Sequence, residues 1–93
     1  MQANRHSMKV YVKVGVVFRE DGMMLPRSIT WEEDRRYPID RVLDVRPACA
    51  ERAGGRGDRY TVMIGGRQKY LFFEHSAGNS GSNIGRWFIE RKE

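Results

Sequence analysis

Between residues 9 and 19 the chain reads KVYVKVGVVFR. Val10, Val12, Val14, Val16 and Phe18 fall on one side of an extended backbone, and Tyr11, Lys13, Gly15 and Val17 fall on the other. A two-residue period belongs to a strand, whose successive side chains point to opposite faces. Five apolar residues on one side make this a half-buried strand, and it commits the chain to a sheet.

The rest of the chain repeats the theme in shorter pieces. EDGM at 20–23 is a turn signalled by Asp-Gly. RSITWE at 27–32 predicts a second strand, with Pro26 at its start, where a missing N–H is tolerated. EEDR at 32–35 is a tight polar turn. RYPIDRVLDVR at 36–46 predicts a third strand, in which Tyr37, Ile39, Arg41, Leu43 and Val45 share a parity that Val42 breaks. Ile39, Val42 and Leu43 also have helical spacing, with Pro38 at a possible first helical position. The β-branched content and Pro47 favour a strand, with a bulge near Asp40 and Arg41. ACAERAGGRGD at 48–58 is a loop with room for one helical turn over 48–53, stopped by Gly54-Gly55. RYTVMIGG and RQKYLFFE form a hairpin over 59–74 around Gly65-Gly66. HSAGNSGSN at 75–83 is a small polar loop of mobile composition, and 84–92 forms the last strand.

Six short strands in 93 residues predict an all-β domain: a small bent antiparallel sheet or SH3-like barrel with at most one helical turn. Residues 1–8 are expected to be a disordered tail and residues 9–93 a single domain. The apolar share of 40% supports one modest core. Trp31, Tyr37, Leu71, Phe73 and Phe88 are its expected members, with the choice between Phe72 and Phe73 open.

The chemistry is narrower. Cys49 is the single cysteine, so there is no disulfide framework and no set of zinc ligands at usual spacing. No apolar run approaches the ~18 residues of a membrane span, and the first residues show no signal-peptide core. A cytoplasmic protein with no membrane partner is the expectation. Glu32, Glu33 and Asp34 read as a solvated turn, and Asp40 and Asp44 interleave with Arg41 and Arg46 as a salt-bridged strand face. AGGRGD at 53–58 lacks the Lys-Ser/Thr ending of a phosphate-binding P-loop. Cys49 and His75 have nothing local to mark them as a nucleophile and base. No enzyme, cofactor, metal or small-molecule substrate is expected.

The charge balance is informative. Seventeen Lys and Arg face twelve Asp and Glu, for a net charge of +5, and most of the bases are Arg. Arg suits bidentate contact to phosphate and stacking on rings. The most basic block, 46–69, holds Arg46, Arg52, Arg56, Arg59, Arg67 and Lys69, with Trp31, Tyr60, Tyr70 and Trp87 close by in the strand reading. These six are the candidate nucleic-acid-binding residues.

SITWEEDRRYPIDRVLDVRPA (28–48), RYTVMIGGRQKYLFFE (59–74) and GRWFIER (85–91) together resemble a family of small uncharacterised bacterial proteins of Firmicutes type. The chain is similar, more loosely, to short actinobacterial proteins with a Trp-x-Gly-Arg-x-Tyr hairpin, encoded beside Y-family translesion polymerase components. It departs from them at Glu33-Asp34, where they carry Gly before the Arg, and in its Gly/Ser/Asn insert at 76–83. The resemblance implies a small β barrel tied to DNA damage tolerance and transfers no catalytic residue. The expected function is a non-enzymatic accessory module that contacts nucleic acid, or a nucleic-acid-processing protein such as a translesion polymerase component. The alternative is an SH3-like protein-interaction module that docks a partner at a sheet edge.

Overall fold

A computed structural model describes residues 7–50, 55–76 and 83–92, with side chains for 8–48, 57–76 and 83–91. Seven strands form one antiparallel sheet, and no helix occurs among the described residues. They are β1 (Ser7–Phe18), β2 (Met24–Trp31), β3 (Arg35–Pro38), β4 (Arg41–Ala50), β5 (Gly55–Ile64), β6 (Arg67–His75) and β7 (Gly85–Lys92). Their order across the sheet is β3-β2-β1-β7-β6-β5-β4, curled into a half-barrel.

The long valine strand organises this. β1 pairs with β7 through Ser7–Val12 and with β2 through Lys13–Phe18, so one strand serves both halves of the sheet. Its bend falls at a bulge between Gly15 and Val16, where Arg27 is the extra residue of β2. Gly15 fits there because a Cβ would lie 2.9 Å from the hydroxyl of Ser28.

The two edge strands, β3 and β4, are consecutive in the chain and joined only by Ile39 and Asp40. The Ile39 N–H donates to the Arg27 carbonyl of β2 and the Asp40 N–H to the Met63 carbonyl of β5, each at 2.8 Å. The Asp40 carboxylate accepts the Gly65 N–H at 3.0 Å, which ties the same corner to the β5–β6 hairpin. The hairpin turn has Gly65 at φ 58° and Gly66 at φ 80°, the left-handed pair that a two-residue connection demands.

Inside the curl lie Ile29, Ile39, Tyr60, Val62, Leu71, Phe73 and Trp87, flanked by Val12, Val14, Val16, Trp31, Val42, Val45 and Ile89. Val62 and Leu71 have no exposed surface. Tyr60 and Phe73 both pack on Trp87, with ring centroids 5.1 and 4.9 Å apart. The Tyr60 hydroxyl donates to the Met24 carbonyl at 2.8 Å, linking β5 to β2 across the interior. Burial raises the pKa of Tyr60, and Asp58 adds to the effect, which keeps the hydroxyl a donor.

Several expectations are corrected. The strand expected over 36–46 is two strands, because the chain turns a corner at Ile39–Asp40. The bulge falls at Leu43, not at Asp40–Arg41; the extra residue moves Val42 and Val45 against the core and leaves Leu43 exposed. The loop expected over 48–58 is largely strand, since β4 continues to Ala50 and β5 starts at Gly55; the rest of the expected helical turn lies outside the described residues. Ser7 and Met8, assigned to the tail, pair with Lys92 and Arg91. Tyr37 is half-buried opposite Ile29 near the sheet edge, outside the core cluster. Phe73 is the core residue of the Phe72/Phe73 pair. The loop at 75–83 lies mostly outside the described residues, and its neck closes where the Ser76 N–H meets the Ile84 carbonyl at 3.1 Å.

Two substitutions test this geometry. Gly85 has φ 153°, and a Cβ there would collide with the Glu74 carbonyl oxygen and lie 2.6 Å from the Phe73 ring. Gly85→Ala is expected to destabilise the domain by roughly 1–3 kcal/mol in urea unfolding. Glu33 and Asp34, at φ 56° and 58°, occupy left-handed positions in the β2–β3 turn that suit Asn and Gly. The Glu33→Asn/Asp34→Gly double variant is expected to gain about 1–2 kcal/mol, and an unchanged or lower urea midpoint contradicts that account of the turn.

Candidate nucleic-acid interface

Alternation loads the outer face of the sheet as well as the inner one. The register pairs Arg46 of β4 with Arg59 of β5, and Arg59 with Phe72 of β6. Phe72 pairs with Phe88 of β7, which pairs with Tyr11 of β1. One row of outward side chains therefore runs from two arginines to three aromatic rings across five strands.

The aromatic end is packed. Phe72 stacks on Phe88 with centroids 5.0 Å apart and planes 7° from parallel. Tyr11 meets Phe88 edge-on at 5.9 Å. Lys9 Nζ sits 5.0 Å above the Phe88 ring, and the Arg86 guanidinium lies 3.9 Å from the centre of Tyr11. Phe88 is thus buried, as expected, but on the face opposite the main core.

Glu74 is the acid in this cluster. It accepts the Tyr11 hydroxyl at 2.7 Å and faces Lys9 Nζ at 3.4 Å. The Tyr11 hydrogen bond is the main reason that its pKa falls below the ordinary value; burial opposes this, while Lys9 and Arg86 add to it. The Tyr11 hydroxyl also accepts from Arg86 Nη2 at 3.2 Å, which completes a small polar ring over the stacked phenylalanines.

The basic end is less satisfied. Arg46 and Arg59 stand directly opposite each other, where like charges repel. Arg46 Nε donates to Asp44 at 2.7 Å, with the side chain about two-thirds exposed. The Arg59 guanidinium lies 4.5 Å from the centre of the Tyr70 ring. Its Nε is buried and has no hydrogen-bond partner among the described residues. Tyr70 remains 47% exposed and Tyr11 41%, so ring surface stays open beside both guanidinium groups.

The structure divides the six basic candidates. Arg46 and Arg59 share the outer face. Arg67 and Lys69 pair with Ile64 and Val62 and share the parity of Leu71 and Phe73, which assigns them to the core side at the exposed end of the hairpin. Arg56 pairs with Cys49 through its backbone, while its side chain and the whole of Arg52 lie outside the described residues. A single basic surface over 46–69 is therefore corrected to a face that uses part of that block. Of the aromatics expected beside it, Tyr60 and Trp87 belong to the core and Tyr70 to the outer face.

Sequence reasoning placed Tyr11 on the polar side of β1 but did not connect it with Lys9, Phe72, Arg86 and Phe88. The usable signal is an aromatic flanked by bases on the side opposite the valines. Joining the parts requires the β1–β7 register, which spans most of the chain.

His75 Nε2 lies 2.9 Å from Asp58 Oδ2, and its ring packs edge-on against Phe73. Among the described residues no group of His, Cys, Asp and Glu is arranged to hold a metal ion, and no helix is long and apolar enough to cross a membrane. The outer face offers open rings and flat guanidinium groups, which suits planar and anionic groups. No protein-family model, curated protein or solved structure matches the chain.

The lowered pKa of Glu74 gives a pH dependence with a definite sign. Its stabilising contribution is complete above the ordinary glutamate range, near pH 4–5, and is lost as pH falls through the lowered folded value. Urea midpoints of wild type and Glu74→Gln are expected to differ at pH 7 and to converge as the pH falls below the lowered folded value. A gap independent of pH rules out the charged network as its source.

Proposed function

We propose that the outer face binds single-stranded nucleic acid as a non-enzymatic module. The observation that carries this reading is the row in which Arg46 and Arg59 adjoin Phe72, Phe88 and Tyr11 across five strands. Two facing arginines repel each other, and a phosphate between their guanidinium groups relieves the repulsion. Tyr70 and Tyr11 supply ring faces on which bases stack without regard to sequence, each worth about 1–3 kcal/mol. Duplex DNA hides its base faces, so single strands should bind more tightly than duplexes of equal length.

The test is fluorescence anisotropy with labelled single-stranded and duplex DNA and RNA over a salt series. Micromolar binding to single strands that weakens steeply with salt is expected. Arg46→Glu/Arg59→Glu should reduce affinity at least tenfold and flatten the salt slope, and Tyr70→Ala should weaken binding with little change of slope. Arg67→Glu/Lys69→Glu, on the other face, should stay within about threefold. No binding at ~50 mM salt, or equal loss from both charge reversals, overturns the reading.

A further inference from the structure

Strands β1 and β7 part at one point. Their ladder ends at Val12–Trp87, although the register, carried one step further, would set Lys13 opposite Arg86. From Lys13 onward β1 follows β2, while Gly85 and Arg86 stay with His75 and Glu74 of β6. A cavity of about 440 Å³ lies where they diverge. Val12, Val14 and Trp87 give it apolar walls, and Tyr11, Lys13 and Arg86 line it with the parity of the outer face. No described acid lines it.

We infer that this cavity takes a nucleotide that bears a phosphate monoester, free or at the end of a strand, with the base against the apolar walls and the phosphate between Lys13 and Arg86. Size and walls account for the base. The volume falls in the ~300–1,000 Å³ range of small-molecule sites, which are mostly apolar with a few placed polar groups. Val12 and Val14 are half-buried and Trp87 is 8% exposed, so the surface that they still present is apolar. The Tyr11 ring, 41% exposed, and the Arg86 guanidinium beside it suit a flat ring at the mouth.

Charge accounts for the phosphate. Lys13 is exposed and its side chain forms no ion pair or hydrogen bond among the described residues. Arg86 donates to the Tyr11 hydroxyl and leaves its other N–H donors unused among those residues. Glu74 stands opposite Arg86 on β6, but its carboxylate is taken up by Tyr11 and Lys9. Two cations at one mouth match a phosphate monoester, which carries close to two negative charges at neutral pH. An internal phosphate of a strand is a diester with a single charge, so the site favours an end. The choice of a nucleotide over another aryl phosphate rests on the reading of the outer face, whose row of rings ends at Tyr11 beside this mouth.

The experiment uses the full chain carrying Trp31→Phe, which leaves Trp87 as its single tryptophan. Trp87 fluorescence is followed during titration with nucleoside monophosphates, nucleosides, inorganic phosphate and phenyl phosphate. A saturable change with monophosphates, at least tenfold tighter than with nucleosides or inorganic phosphate, is expected. Lys13→Glu should abolish it, and Lys13→Gln serves if the reversal does not fold by circular dichroism. On labelled single strands, a terminal phosphate at one end should tighten binding about fivefold or more. Lys13→Glu should remove that gain, and Arg46→Glu/Arg59→Glu should leave it in place. No saturation by monophosphates, equal affinity for phenyl phosphate, or a gain that survives Lys13→Glu overturns the inference. Strands that fail to bind while monophosphates saturate overturn the outer-face reading alone and support the cavity as a site for the free nucleotide.

Discussion

The geometry of the domain depends on two peptide units. Ile39 and Asp40 link the strands at opposite edges of the sheet, and their amides are bonded to β2 on one side and β5 on the other. An open sheet of seven strands would keep its edges far apart. This link holds them close, so the sheet must curl, and the curl gives Ile29, Val62, Leu71 and Trp87 an interior to fill. Burying the Ile39 side chain at the same corner anchors it from within. The Tyr60–Met24 hydrogen bond then spans the interior that the corner has created. Because β3 is only four residues long, it covers Ser28–Trp31 of β2, and beyond it the carbonyls of Arg27 and Met24 are taken by Ile39 and Tyr60.

The curl also explains why the two faces differ. Inward side chains converge and pack; outward ones diverge, and rings and long bases fill the wider surface. Phe72 and Phe88 stack beneath Lys9 and Tyr11 because an aromatic on the convex side needs its own cover. That small second cluster brings Tyr11 and Arg86 into contact on the convex side.

Much of this fold was legible in the residues, and the failures have physical causes. The valine alternation placed β1, and Gly65-Gly66 placed the β5–β6 hairpin, because both signals are local. The β3–β4 corner was missed because Ile39 keeps the parity of Tyr37 and Arg41 through the break, so the pattern looks continuous. Leu43 misled in the same way: the bulge changes parity, and nothing in the side-chain sequence marks where the extra residue sits. Phe72 and Phe73 are equivalent until Trp87 and Phe88 are brought to the two faces beside them. The candidate site was legible in half. Arg46 and Arg59 carry a charge that composition reveals, whereas their alignment with Tyr11 is a property of tertiary register.

The shared strand β1 has a consequence in time rather than in space. Lys13–Phe18 finds its partner β2 a few residues downstream, but Ser7–Val12 pairs with β7, with residue 7 opposite residue 92. Local hairpins form in microseconds, whereas a ladder between segments this distant must first pay the entropy of closing the intervening chain. During synthesis the front half of β1 therefore waits with its valines bare until β7 has emerged. An apolar strand held in that state is prone to pair with neighbouring chains. Lys9, which alternates with those valines, puts charge on the waiting segment and opposes such pairing. The lysine that covers Phe88 and meets Glu74 in the finished sheet thus acts as a guard while it is still being assembled.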